Sequence, residues 1–153
     1  MIATIRAVIE RDLAALIALC VEHARYEGAD FDATGKALAL SAALFDPSPR
    51  VFAWVAECDA GIVGYATAAA EFSTWAARSH LHLDCLFARA DARGQGIGAS
   101  LLRQVREYAL REGYARIEWQ TPSWNEGAIR FYRREGALGA SKERFGLDRT
   151  SVV

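Results

Sequence analysis

The sequence predicts an α/β (α+β) fold: one mixed, mostly antiparallel central sheet flanked by helices. Three observations predict it. Two strand-like runs, "VFAWVAEC" (51–58) and "IVGYATAAAEF" (62–72), meet across the turn "DAG" (59–61), as in an antiparallel hairpin. After a third strand the chain alternates helix, strand, helix, strand, which brings a mixed pairing into the same sheet. At 153 residues, with 52% hydrophobic and 24% charged, the chain has the size of one ordinary domain, 1–153.

The elements follow in order. "IATIRAV" (2–8) reads as a first strand. "LAALIALCVEHARYE" (13–27) places Leu13, Leu16, Ile17, Cys20 and Ala24 at helical spacing. "ATGKALALSAALF" (33–45) is a second helix, halted by Pro47 and Pro49. Behind the hairpin, "SHLHLDCLFA" (79–88) alternates His80, His82 and Asp84 with Leu81 and Leu83, a strand with one polar and one apolar face. "IGASLLRQVREYALREG" (97–113) is a helix closed by Gly113, and "YARIEWQT" (114–121) another strand. "NEGAIRFYRREG" (125–136) is a short helix opened by Asn125, a good cap residue, and ended by Gly136. A last strand is expected within "ALGASKERFGLD" (137–148).

Composition excludes several classes. A formal net charge of -1 carries no basic footprint for nucleic acid, and Arg103, Arg106 and Arg111 read as the solvated face of one helix. Cys20, Cys58 and Cys85 are odd in number and contain no CxxC pair, so neither a zinc ribbon nor a disulfide framework is expected. The first residues, "MIATIRAVIERD", carry charge too early for a signal peptide, and no apolar run approaches the roughly 20 residues that span a bilayer. The expectation is a soluble cytoplasmic protein with no membrane partner.

"RGQGIGA" (93–99) raises a sharper question, because glycine inside a helix costs roughly 1 kcal/mol relative to alanine. Gly94, Gly96 and Gly98 could simply shape a tight turn. They also suit an anion, since a helix beginning here points unpaired amides and the positive end of its dipole outward, with Arg93 beside them. A P-loop is excluded, because "GIGAS" lacks Gly-Lys-Ser/Thr. Gly94, Gly96 and Ala99 formally satisfy the dinucleotide fingerprint, with Glu118 near its acidic position, but they follow an antiparallel meander and leave too little chain for two nucleotide-binding halves.

With "RGQGIG" (93–98) and "NEGAIRFYRREGA" (125–137) in view, the chain resembles the GNAT family of N-acetyltransferases. The first stretch matches the family's R/Q-x-x-G-x-G/A motif and the second its N-x-x-A-x-x-F-Y-x-x-x-G helix pattern. The resemblance implies acetyl-CoA as co-substrate, with no metal. Leu86, Phe87 and Ala88 would offer backbone groups to the pantetheine arm. Arg93, Gly94, Gln95, Gly96, Ile97, Gly98 and Ala99 would cradle the pyrophosphate, and Asn125 and Ala128 would lie near the thioester end. Within the family the chain is most similar to the diamine (spermidine/spermine) and thialysine branch, through "ARYE" (24–27), "LDCLF" (83–87), "SWNEGAIRFYRREGA" (123–137) and "RFGLD" (144–148). Where that branch has adjacent Glu-Asp, this chain has Asp84 and Cys85, and Glu135 stands where the branch has a basic cofactor contact. A homodimer is the family's common state.

Acetyl transfer to an alkyl amine, whose pKa lies near ~10.4, requires loss of a proton from the amine and protonation of the leaving thiolate. Asp84, on the polar face of its strand before the glycines, is the candidate group to attract the cation and relay its proton through water; a plain surface acid is the other reading. Tyr132 is the candidate acid, since a phenol near pKa ~10 keeps its proton at neutral pH. Spacing alone reads it as a packed aromatic, and the resemblance reverses that reading. By resemblance Tyr26 and Glu27 help bind a small-molecule amine, together with Asp84, while Trp119 and Gln120 flank the region as acceptor wall or core. His80 and His82 lack a further ligand cluster, so no metal is expected. Cys85 reads as buried filler. The expected activity is direct transfer in a ternary complex. The rival readings are a CoA-binding sensor without turnover and a small nucleotide-binding protein.

Overall fold

A computed structural model describes residues 2–148, in two compact units that divide after Gln120. In the first unit five strands form one sheet in the order β1 (Thr4–Ala7), β2 (Phe52–Cys58), β3 (Gly61–Ser73), β4 (Arg78–Ala88), β5 (Ile117–Glu118). The first three pairings are antiparallel and β4–β5 is parallel, so the mixed, mostly antiparallel sheet expected from the sequence is the one that forms. Its helices are α1 (Leu13–Glu27), α2 (Lys36–Phe45) and α3 (Ile97–Arg111); the second unit holds α4 (Glu126–Arg134).

Both faces of the sheet are covered. Residues paired across an antiparallel ladder share a face, and Val55, Tyr65 and Phe87 line up this way. They form a core with Ala53, with Leu16 and Leu19 of α1, and with Leu44 of α2. The opposite face meets α3, whose buried stripe is Ile97, Leu101, Leu102, Val105 and Ala109. Gly64 makes that approach possible. A Cβ there would lie 2.9 Å from the Phe87 carbonyl oxygen and 3.2 Å from Ile97.

β4 carries one residue more than the ladder accommodates. Thr67 stands opposite Cys85 and Ala68 opposite Leu83, which leaves Asp84 outside the register as a β-bulge. Strict alternation would put Leu81, Leu83, Cys85 and Phe87 on one face. The bulge instead keeps Leu83 on the side of Ala68 and turns Cys85 and Phe87 to the side of Thr67 and Tyr65.

Three sequence expectations change. The strand expected over 114–121 is only Ile117–Glu118, because β4 offers it partners only at Leu81 and His82 before the bulge bends the strand away. α2 begins three residues later than expected, after Gly35. Among the described residues no strand forms in 137–148. Leu138, Phe145 and Leu147 there are 100%, 90% and 83% exposed, so no burial offsets the ordering of that backbone. The three cysteines are free thiols, and no helix of the described residues is long and apolar enough to cross a membrane.

β1 is held by an ion bracket. Arg6 donates from Nη1 to Asp12 Oδ2 at 2.6 Å, from Nη2 to Asp12 Oδ1 at 2.9 Å and from Nε to Glu57 Oε2 at 2.7 Å. Asp12 is buried, and its Oδ2 also accepts the Ile9 amide at 2.9 Å. The Arg6 guanidinium, then the Ile9 amide, hold the Asp12 carboxyl below the usual carboxylate range against the opposing effect of burial. Asp12→Ala should cost about 2 kcal/mol in urea denaturation at neutral pH, the scale of charge-assisted bonds at a buried site. Because the folded carboxyl is depressed relative to about 3.9 in the unfolded chain, this contribution is complete above that pH and is lost as pH falls through the folded value. An acid titration of unfolding free energy checks the sign. Gly64→Ala should lower stability by about 1–3 kcal/mol, read by the same denaturation, since the backbone carbonyl in its way cannot turn aside.

Candidate functional site

The glycine turn leads into α3. Gly94 and Gly96 stand at φ +75° and +78°, left-handed backbone that side-chain-bearing residues rarely adopt. Added Cβ atoms at these positions would meet nothing within 4 Å, so the outer surface of the turn is bare. Gly96 caps α3 without a side-chain bond, and Ser100 N donates to Gly96 O at 3.0 Å. The amides of Ile97, Gly98 and Ala99 precede that bond and have no helical carbonyl to meet. Gln95 pins the turn by donating Nε2 to Asp91 O at 3.1 Å. A bare turn, outward amides and the positive end of a 15-residue helix together fit a pyrophosphate.

Arg93 turns toward α1. It donates Nε to Ala88 O at 3.0 Å and lays its guanidinium 4.3 Å from the Tyr26 ring centre and 5.4 Å from that of Phe87. The cation therefore joins the end of α1 to the end of β4.

The backbone beyond the bulge forms the second part. Arg89 N donates to Val63 O at 2.9 Å, and the alternation of an antiparallel ladder then directs the backbone groups of Phe87 and Cys85 to β3. Leu86 and Ala88 turn theirs to the other edge, where β5 pairs only with Leu81 and His82. With the Ala88 carbonyl held by Arg93, Leu86 presents both backbone groups and Ala88 its amide to an extended ligand. Phe87 serves through its side chain, in the core.

The end of α1 gathers the rest of the first unit's candidates. Tyr26 is under Arg93, and His23 Nε2 lies 3.3 Å from Glu27 Oε1. The His23 ring stacks on Phe87 at 4.8 Å and 20°, and its Nδ1 lies 2.9 Å from the Tyr65 hydroxyl oxygen. Burial lowers the His23 pKa despite the opposing charges of Glu27 and Asp84. Burial raises Tyr65 far above the ordinary phenol value. Asp84 is exposed at the bulge, with the Cys85 Sγ 3.7 Å from its Oδ2. Burial, then the Asp84 charge, push the Cys85 thiol up to about 11, so it is no thiolate at neutral pH. His80 and His82 meet acids: His80 Nε2 lies 3.4 Å from Glu71 Oε2 and 3.9 Å from Glu118 Oε2, and His82 Nδ1 lies 3.9 Å from Glu71 Oε1. Trp119 and Gln120 follow β5 directly, half-buried and exposed respectively.

In the second unit Asn125 is buried and caps α4, its Oδ1 accepting the Ala128 amide at 3.1 Å. Tyr132 lies on the same helix face two turns on, half-buried, with its ring centre 5.1 Å from that of Phe131. Sequence reasoning passed over His23, Tyr65 and Gly64. A signal existed for two of them: His23 interrupts an apolar stripe one turn before Glu27, and Gly64 breaks a strand interior, which often marks a close backbone approach.

Comparison with known proteins places the chain. The acetyltransferase (GNAT) family matches residues 16–137. Thialysine N-epsilon-acetyltransferase of Bos taurus is 30% identical over 141 residues, covering 87% of this chain and 82% of that one. Its counterpart from Sus scrofa is 33% identical over 76 residues, 50% of this chain and 44% of that one. An integron cassette protein from the mobile metagenome of V. cholerae is similar at a TM-score of 0.80 and 25% identity, covering 99% of this chain and 96% of that one. An aminoglycoside acetyltransferase from an uncultured soil metagenomic sample has a TM-score of 0.79 at 18% identity, covering 95% and 97%, a likeness of fold alone. With the glycine turn and the Asn125-capped α4 both inside the matched stretch, the chain belongs to the GNAT family of acetyltransferases.

Proposed function

We propose that this chain acetylates a primary amine of a small cationic molecule, a lysine analogue or a short diamine, by direct transfer in a ternary complex. The observation that carries the reading is the position of Asp84: an exposed carboxylate at the bulge, two residues before Leu86 and its open backbone edge. An extended arm that pairs with that edge, as a peptide adds to a sheet, ends beside the carboxylate. The similarity to thialysine N-epsilon-acetyltransferase supports the choice of acceptor.

When bound, acetyl-CoA supplies the acetyl thioester. Leu86 and Ala88 would hold its extended arm by backbone hydrogen bonds, and the amides of Ile97, Gly98 and Ala99 would hold the diphosphate. Asp84 attracts the ammonium and takes its proton through water, leaving the nitrogen lone pair for attack. Glu27 and Tyr26 flank the incoming cation. By the family's helix pattern alone, Tyr132 would keep its phenolic proton at Oη and supply it to the leaving thiolate. Asn125 fixes the start of the helix that carries Tyr132.

Incubating the chain with acetyl-CoA and a panel of thialysine, 1,4-diaminobutane and an aminoglycoside should release free thiol with one of the first two. Acetyl-CoA binding with no thiol release on any amine would overturn the enzyme reading. Tyr132→Phe should lower kcat about 100-fold, the lower end of general acid catalysis, with the dissociation constant for acetyl-CoA within about twofold. Weakened acetyl-CoA binding at unchanged kcat would remove Tyr132 from that role.

A further inference from the structure

We infer that His23 is a positioning residue for the amine: anchored on Tyr65, its imidazole holds the Glu27 carboxylate in place to receive the substrate's ammonium. The inference rests on the amine-acetylating reading above and adds to it a residue that touches no reacting atom.

The hydrogen-bond chemistry fixes the direction of every proton. A carboxylate only accepts, so with Nε2 3.3 Å from Glu27 Oε1 the proton of a neutral His23 is assigned to Nε2, facing Glu27. Nδ1 then carries the lone pair and accepts the Tyr65 hydroxyl at 2.9 Å. Tyr65 is 1% exposed, in the middle of β3, and gives the ring a rigid anchor. Phe87 stacks on the ring at 4.8 Å and removes its remaining rotation. Glu27 is the last residue of α1, with a side chain 35% exposed, and three side-chain torsions would otherwise let the carboxylate wander in solvent.

An apolar residue at position 23 would extend the stripe of Leu16 and Leu19 without the desolvation that a buried imidazole incurs. Joining a buried hydroxyl to a half-exposed carboxylate is what the imidazole adds. The groups acting on it come from every neighbouring element: Glu27 on α1, Tyr65 on β3, Asp84 on β4 and Arg93 after β4, with Cys20 and Cys85 against the Tyr65 hydroxyl. Protonation of His23 therefore sets a positive charge between the two carboxylates meant for the ammonium. It also leaves Nδ1–H facing the Tyr65 hydroxyl, which must reverse to accept it. Burial keeps the imidazole neutral near pH 7 and delays this change to below its ordinary value of about 6.5.

The test compares wild type, His23→Leu and His23→Gln, using whichever amine of the panel the wild type turns over. Steady-state kinetics gives KM and kcat, and calorimetry gives amine affinity for the CoA complex from pH 7.5 downward, where the amine stays an ammonium. His23→Leu should raise the amine KM about tenfold with kcat within about twofold and acetyl-CoA affinity unchanged. His23→Gln, which keeps a donor for Glu27, should recover most of the loss. Only the wild type should bind the amine more weakly as pH is lowered from 7.5 through the depressed His23 value. An unchanged KM in His23→Leu would overturn the inference while leaving the enzyme reading intact. So would a fall in thermal stability and kcat alike in both variants with no change in KM. No turnover by the wild type on any amine would remove the enzyme reading, and this inference with it.

Discussion

Asp84 is the residue that the β3–β4 ladder leaves over, and the surroundings of the site follow from that insertion. An extra residue bends its strand and changes which side chains share a face. Here it lifts a carboxylate out of the ladder, turns Cys85 and Phe87 beneath α1, and carries β4 away from β5. Phe87 then becomes the floor on which His23 stacks and over which Arg93 lies. The same bend leaves Leu86 and Ala88 without a strand on their outer edge. Without the bulge these residues would alternate through an ordinary ladder, and neither the open edge nor the aromatic floor would exist.

Two electrical environments lie at the ends of this first unit's elements. The start of α3 is an acceptor of anions, built from backbone amides and therefore insensitive to pH. The end of α1 with the bulge gathers negative charge, from Glu27 and Asp84 near a neutral imidazole. Arg93 bridges them, bonded to the Ala88 carbonyl and stacked on Tyr26. On the proposed reading, a co-substrate with a negatively charged tail and an acceptor with a positively charged head would be recognised by chemically opposite means. Each environment discourages the wrong ligand.

Much of the fold was legible because local rules decide it. The limits of α1 match the sequence reading from Leu13 to Glu27, since a helical period ends at Gly28, and the hairpin follows from its turn. The glycine turn was legible for the same reason: left-handed backbone selects glycine residue by residue. The bulge was not, because a register slip is a property of two strands and leaves no mark on either alone. β5 contracted for the same cause, and the absent last strand reflects apolar residues that found no face to bury. At the site, Asp84, Tyr26 and Arg93 were named from sequence and their elements meet. His23 and Tyr65 were hidden, because their pairing spans 42 positions and depends on how a helix settles on a sheet.

The margins of the sheet have a bearing on solubility. β1 offers four residues with Arg6 bonded into its bracket, and β5 offers two, so neither is long enough to template a foreign strand. Among the described residues, extended backbone that no neighbouring strand covers includes the part of β4 beyond the bulge and residues 69–73 of β3, which β2 does not reach. On the proposed reading, recognition of an extended ligand and vulnerability to strand addition between molecules would coincide on the β4 groups but not on those of β3. A ligand lying along the β4 groups would close one of these two routes by which copies could add strand to strand, and would leave the β3 edge as it is.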